Sequence, residues 1–294
     1  MKPRIGWLGL LVLPLALQNC TVQDNGIGAV PTQPGAGNIT IELAFPGKTG
    51  TLKEGTLYGA PIRYEEIEGR AVFQGDIILS AEQLKQVRGA EKSSSTGRTD
   101  PAVRWPNNVV YYAIDVSLPN QARVTSAIAH WEANSLMRFV VWTNQPGHPN
   151  YITFRPGAGC SSPVGMPNGH DYIDLHPLCD AGSVIHEIGH TIGLWHEHTR
   201  SDQTSNIIVN WSNIRPEVVQ NFQTYTQQGF DGFDLGATDY GSIMIYPSLI
   251  SDPAFVYNPS IPVLTRLNGT TWPGQRTALS TGDKAGAEIG RAHV

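Results

Sequence analysis

The chain has 294 residues, a charged fraction of 15%, a net charge of −5, and many glycines (31) and prolines (21). That length accommodates one large domain with appendages. With no excess of basic residues, nucleic acid is excluded as an expected partner. Beyond residue 20, no stretch is apolar for long enough to span a bilayer.

Residues 1–20 read as an export signal, with Lys2 and Arg4 ahead of an apolar run from Ile5 to Leu17. Cys20 follows that run, as in lipidated exported proteins, but Asn19 stands where such sites carry a small residue. The alternative is a cysteine inside a signal that is removed. The expected location is secreted, extracellular or cell envelope, with membrane attachment only if Cys20 is lipidated. Residues 23–38, rich in Gly, Pro, Gln and Asn, have the composition of a linker. Residues 89–100 form a polar loop of small residues suited to proteolytic nicking, with Arg88, Lys92 and Arg98 as candidate cuts for a trypsin-like enzyme.

From Trp105 the pattern becomes that of a folded domain. Val109 to Ile114 reads as a strand. Ser117 to Asn120 offers helix-starting chemistry, and Val124, Ala127, Ile128 and Trp131 give one apolar helical face reaching about Met137. Arg138 to Trp142, Tyr151 to Arg155 and Tyr172 to Leu175 read as further strands. Cys160 and Cys179 are the only cysteines past residue 20. In an oxidising compartment pairing is the simple reading, with two buried thiols as the alternative.

The chemistry concentrates in His186-Glu187-Ile188-Gly189-His190-Thr191-Ile192-Gly193-Leu194-Trp195-His196-Glu197. On a helix, positions four apart share a face, so His186 and His190 can aim at one metal ion. Glu187 projects beside that pair, placed to take a proton from water. Gly193 accepts a left-handed backbone, so the helix can end and the chain turn back to bring in His196 as third ligand. Three imidazoles with a fourth position open are the donor set of a catalytic zinc. The bland alternative is a His-rich surface helix; Val184, Ile185, Ile188 and Ile192 at helical spacing argue for a buried one. Further on, Asn206 to Trp211 is expected to be extended and residues 216–228 helical.

This stretch resembles the metzincin metalloproteases. Glu197 after the third His is similar to the astacin family, and the likeness extends over residues 100–285. The resemblance implies an α+β fold of two subdomains, with a twisted, mostly parallel sheet, two long helices above it, one zinc ion in the cleft and an irregular C-terminal subdomain. It implies that the sheet's edge strand holds a peptide in extended form. It also implies a domain plan: signal at 1–20, propeptide at 21–98 and catalytic domain at 99–294. Phe73-Gln74-Gly75-Asp76 resembles the propeptide motif whose Asp ligates zinc in the latent form. Ser242-Ile243-Met244-Ile245-Tyr246 resembles the Met-turn, with Met244 as an apolar floor under the histidines and Tyr246 as a zinc ligand at rest and oxyanion donor at work. Glu197 would receive the new amino terminus through water, and Cys160 and Cys179 match a disulfide position of the family. Ile245 departs from the His many relatives carry. The function implied is a secreted zinc endopeptidase made as a proenzyme, with protein or peptide substrates and an activating protease as partners. The alternatives are a silent peptide-binding pseudoprotease and a lipid-anchored surface protein.

Overall fold

The computed structural model describes residues 41–57, 60–85, 97–98, 101–144, 146–230 and 232–289. The expected signal with Cys20, the linker, and the cuts at Arg88 and Lys92 lie outside the described residues.

Residues 41–85 build an antiparallel sheet of four strands, β1 (Thr51–Leu57), β2 (Ala60–Ile67), β3 (Arg70–Phe73) and β4 (Ile77–Leu79), paired in sequence order. Phe73 pairs with Ile77, so Gln74-Gly75-Asp76 is the loop of a tight hairpin. Gln74 and Gly75 take φ of +49° and +88°, the left-handed region, which lets the chain reverse within three residues.

The second sheet has the order β6-β5-β7-β9-β8. β5 (Val109–Ile114) is flanked in parallel by β6 (Arg138–Val141) and β7 (Tyr151–Pro156). β9 (His170–Leu175) runs parallel to β7, and β8 (Cys160–Ser161) pairs antiparallel with β9 at the edge. Two helices cover one face, α1 (Ala122–Asn134) and α2 (Ala181–Thr191). Val124, Ala127, Ile128 and Trp131 of α1 meet Val184, Ile185 and Ile188 of α2 over Val110, Ile152, Phe154 and Ile173 of the sheet. Trp131 fixes the helix pair by donating its indole N–H to Ile185 O at 3.0 Å. The α+β architecture expected from the sequence is present, with a mostly parallel sheet and the helix pair over it.

Beyond α2 regular structure thins out, as expected. It comprises β10 (Ile207–Val209) paired with β11 (Leu264–Arg266), short 3-10 turns, and α3 (Thr281–Ile289). Irregular backbone closes over its own core of Ile214, Val218, Phe222, Ile245, Tyr246, Phe255, Val256 and Trp272.

Several boundaries differ from the sequence expectation, three of them as follows. α1 stops at Asn134, because Ser135 is extended and turns its hydroxyl back onto Trp131 O. Residues 216–228 are helical only over Pro216–Phe222, and as 3-10. Gln223 is extended there, and the Tyr225 N–H goes to Thr199 O, 2.8 Å away, instead of to a preceding turn. In 206–211 only Ile207–Val209 is strand.

Candidate metal centre

Helix α2 carries the first two histidines. Asp180 caps it by accepting from Ser183 N–H at 2.9 Å. It ends as the sequence demands: Gly193 has φ of +106°, its N–H bonds His190 O at 2.8 Å, and Leu194 N–H reaches back to Gly189 O at 2.9 Å. That is the Schellman arrangement a left-handed glycine permits. The chain then reverses and delivers His196 to the same point as His186 and His190.

The Nε2 atoms of the three rings converge on the carboxylate of Asp76, brought by the β3–β4 hairpin. His186 and His196 lie 3.2 Å from its Oδ2, and His190 lies 3.7 Å from its Oδ1. All four side chains are fully buried. The Nδ1 atoms point outward onto oxygens: His186 to Ile243 O and His190 to Leu194 O, both at 2.8 Å, and His196 to Gln74 Oε1 at 3.1 Å. A carbonyl oxygen only accepts, so each Nδ1 carries the proton and each Nε2 presents a lone pair. Burial lowers the pKa of His186 and brings that of His196 to about 4, so both are neutral at pH 7. Lone pairs of three rings thus face a carboxylate, an arrangement that only a cation satisfies.

The geometry fits zinc. Ligands at 2.0–2.2 Å on a tetrahedron stand about 3.3–3.6 Å apart; the His–Asp76 separations are 3.2–3.7 Å, and all four donor atoms lie within 4.8 Å of one another. His190 Nε2 and Asp76 Oδ1, both buried, have no hydrogen-bond partner, as expected of atoms reserved for a metal. Among the described residues this is the one such group of donors.

Glu187 lies on α2 beside the cluster, fully buried, with neither carboxylate oxygen hydrogen-bonded. Burial, and then the charge of Asp76, push its pKa well above the usual carboxylate range. Met244 packs beneath: a Cβ on Gly189 would come within 2.5 Å of its Sδ, so the methionine seats against α2 only because residue 189 lacks a side chain. Glu197 accepts from Asp239 N–H at 3.0 Å and from Arg200 Nη1 at 3.3 Å, and burial raises its pKa to about 8. A cavity of about 30 Å³ adjoins it, walled by Leu194, Phe233, Asp239 and Asp283, which is room for a water.

The Tyr246 hydroxyl donates to Gln74 O at 2.5 Å. Burial, then the Asp76 charge, drive its pKa well above the usual phenol value, so it stays a donor. Cys160 and Cys179 are bonded in a disulfide, fastening β8 to the segment that leads into α2.

Other residues at the site were not singled out from sequence. Gln74 meets both His196 and Tyr246, yet it occupies the unspecified position of the Phe-x-Gly-Asp motif. Asp283 accepts from Ser242 Oγ at 2.5 Å and Ile243 N–H at 2.9 Å, anchoring the carbonyl that holds His186. It also exchanges bonds with Ser280, a capping box that Ser280-Thr281-Gly282-Asp283 does advertise. Glu42 and Arg276 form a buried two-point ion pair; no local pattern links residues 234 positions apart. His198, fully buried, stacks on the Tyr246 ring at 4.2 Å.

Residues 41–85 also cover β8. Ser162 N–H bonds Asp76 O and Ile78 N–H bonds Ser162 O, a parallel bridge, while Cys160 N–H bonds Leu43 O. Arg98, one of the three candidate cuts, is buried, with its N–H on Gly193 O at 2.8 Å.

Comparison with known proteins agrees with this geometry. The family model described as Astacin, a peptidase family, matches residues 97–289. The chain is 34% identical over 267 residues to Protein SpAN of Strongylocentrotus purpuratus, covering 84% of this chain and 42% of that protein. It is 33% identical over 251 residues to flavastacin of Elizabethkingia meningoseptica, covering 80% and 54%. It thus spans about half the length of these curated relatives. Among solved structures it resembles high choriolytic enzyme 1, a hatching enzyme zinc-protease from Oryzias latipes. That likeness has a TM-score of 0.56 and 26% identity, and covers 68% of this chain and 98% of that one. A family model that matches about two thirds of the chain, and a site with that family's donors in one buried cluster, place this chain in the astacin family.

Proposed function

We propose that the chain is a zinc-dependent endopeptidase, exported and made in a latent form, with residues 21–98 as the prosegment and 99–294 as the catalytic domain. The observation that carries this is the position of Asp76, whose carboxylate fills the corner that three histidines leave open. His186, His190 and His196 would hold zinc in the working enzyme, with Asp76 as fourth ligand only before activation. Zinc bound there supplies a Lewis acid that polarises a carbonyl and makes water acidic enough to be deprotonated near neutral pH.

The remaining chemistry belongs to the chain. Glu187, dry and of raised pKa, takes the proton from the attacking water and returns it to the leaving amine nitrogen. Tyr246 donates its hydroxyl to the substrate's carbonyl oxygen as that oxygen gains charge. In the latent form it already donates to a peptide carbonyl, that of Gln74, which stands in for the substrate's. β8 binds the substrate backbone once residues 43 and 76–78 leave it. Arg276 then loses Glu42, leaving a buried guanidinium whose charge bears on His186, Glu187 and Tyr246. A substrate carboxylate near the cleaved bond would replace the lost partner. The activating cut falls between residues 86 and 99, at Arg88, Lys92 or Arg98, and the new amino terminus settles beside Glu197. The partners are protein or peptide substrates and the activating protease; membrane attachment depends on Cys20.

The test is to nick the purified full chain with a trypsin-like enzyme and follow cleavage of a peptide library. Hydrolysis that appears on nicking, stops with a chelator and returns with zinc is expected. A nicked chain that holds zinc and hydrolyses nothing would make this a binding protein.

A further inference from the structure

The three histidines are supported unequally. Each must keep a proton on Nδ1 to offer Nε2 to a metal, and each needs an acceptor for that proton. For His186 and His190 the acceptors are backbone carbonyls of the catalytic part, Ile243 O and Leu194 O. Both are fixed from behind, the first by Asp283 on the Ile243 N–H, the second by the glycine turn that ends α2. For His196 the acceptor is Oε1 of Gln74, at 3.1 Å, a side chain of the hairpin that covers the site. Gln74 is fully buried and held in the left-handed region at φ +49°, a conformation that costs a residue with a Cβ about 1 kcal/mol or more. The neighbouring Gly75 cannot be bulkier without meeting the Tyr246 hydroxyl at 3.1 Å. The turn therefore has one shape, and in that shape one residue contributes a carbonyl to Tyr246 and an amide oxygen to His196, while Asp76, two residues on, enters the cluster.

From this juxtaposition we propose that Gln74 is a positioning residue for the metal, and that the hairpin is a zinc-retaining device as well as an inhibitor. The inference rests on the zinc reading of the cluster. Asp76 supplies a fourth donor, and Gln74 fixes the tautomer and ring orientation of the third histidine, which the catalytic part supports least. Partners that orient ligating histidines typically change metal affinity by about 10- to 100-fold. The uncut chain should therefore hold zinc by more than Asp76 alone explains, and the nicked, hairpin-free enzyme should be the form that surrenders it to competing chelators.

The experiment uses the full uncut chain loaded with zinc and measures release to an excess of a chromogenic chelator. It compares the natural chain with Gln74→Met, which keeps the volume and removes the acceptor, and Gln74→Glu, which keeps an acceptor. Release from Gln74→Met about tenfold faster or more, with Gln74→Glu no faster than the natural chain, is the expected result. Gln74→Asn, which withdraws the amide by one methylene, should also speed release and serves if the Met variant does not fold. Equal rates for the natural chain, Gln74→Met and Gln74→Asn overturn the inference and leave the zinc reading intact. Equal acceleration by Met and Glu overturns it too, since packing rather than the acceptor would then matter. A natural chain that retains no zinc overturns the zinc reading and this inference together.

Discussion

Glu187 and Tyr246 differ in what they touch, and their removal should differ accordingly. In the nicked enzyme, Glu187→Ala should leave zinc bound, read by metal analysis, and lower kcat by at least the 10²–10⁴-fold ascribed to a positioned base. Normal turnover would end its assignment as proton carrier. Tyr246→Phe removes one donor to the developing oxyanion and should lower kcat about 10²-fold with little change in KM. A defect confined to KM would make the phenol a binding group. Arg276 is the residue to question on specificity. If it receives a substrate carboxylate, the nicked enzyme should prefer peptides with Asp or Glu beside the cleaved bond, and Arg276→Leu should erase that preference. Library cleavage with the two enzymes decides the point, since identical profiles would exclude Arg276. In the uncut chain the same substitution leaves Glu42 buried and unpaired, which costs about 3–5 kcal/mol in other proteins. Stability in denaturant should fall with it.

At the level of elements, the site depends on how closely α2 meets the Met-turn. Gly189 belongs to the motif only by position, yet it is where Met244 enters. Gly189→Ala should force the sulfur or the helix to move, with a loss of about 1–3 kcal/mol of stability for an overpacked core. Because Ile243 O and Leu194 O move with these two elements, zinc should also be released faster. Unchanged melting temperature and zinc release would mean the contact is slack. The sequence showed the α2 helix, its glycine stop and the return to His196, because capping and left-handed glycine act within a few residues. It did not show that 216–228 breaks after Phe222, because there the backbone is claimed by Thr199, a partner distant in sequence.

At the scale of the whole molecule, residues 41–85 are an integral layer of the described structure. Leu57, Phe73, Ile77 and Leu79 pack on Val164, Trp195, Tyr225 and Phe230, and Phe73 meets Phe230 edge-on with ring centres 4.9 Å apart. On the proposed latent reading, the layer would block the cleft in two ways, by the Asp76 carboxylate among the histidines and by its bridge to the end of β8. Asp76→Ala should free only the first. Uncut, that variant should show a small fraction of the activity it gains on nicking; full activity before nicking would mean that the carboxylate alone enforces latency.

The three clustered histidines, Glu187 beside them, helices α1 and α2, and strands β5, β6, β7, β9 and β10 were legible from residue order alone. Their signals are short-range: helical spacing, a glycine that reverses the chain, apolar alternation. The family resemblance extended this to Asp76, Met244 and Tyr246. What only the folded chain decided is how distant segments share one cluster: Gln74 on His196, Glu42 on Arg276, Asp283 behind Ile243, the Tyr246 phenol on the Gln74 carbonyl. These are pairings of buried polar groups that must find partners wherever packing brings them. No periodicity along the sequence records which partner that will be.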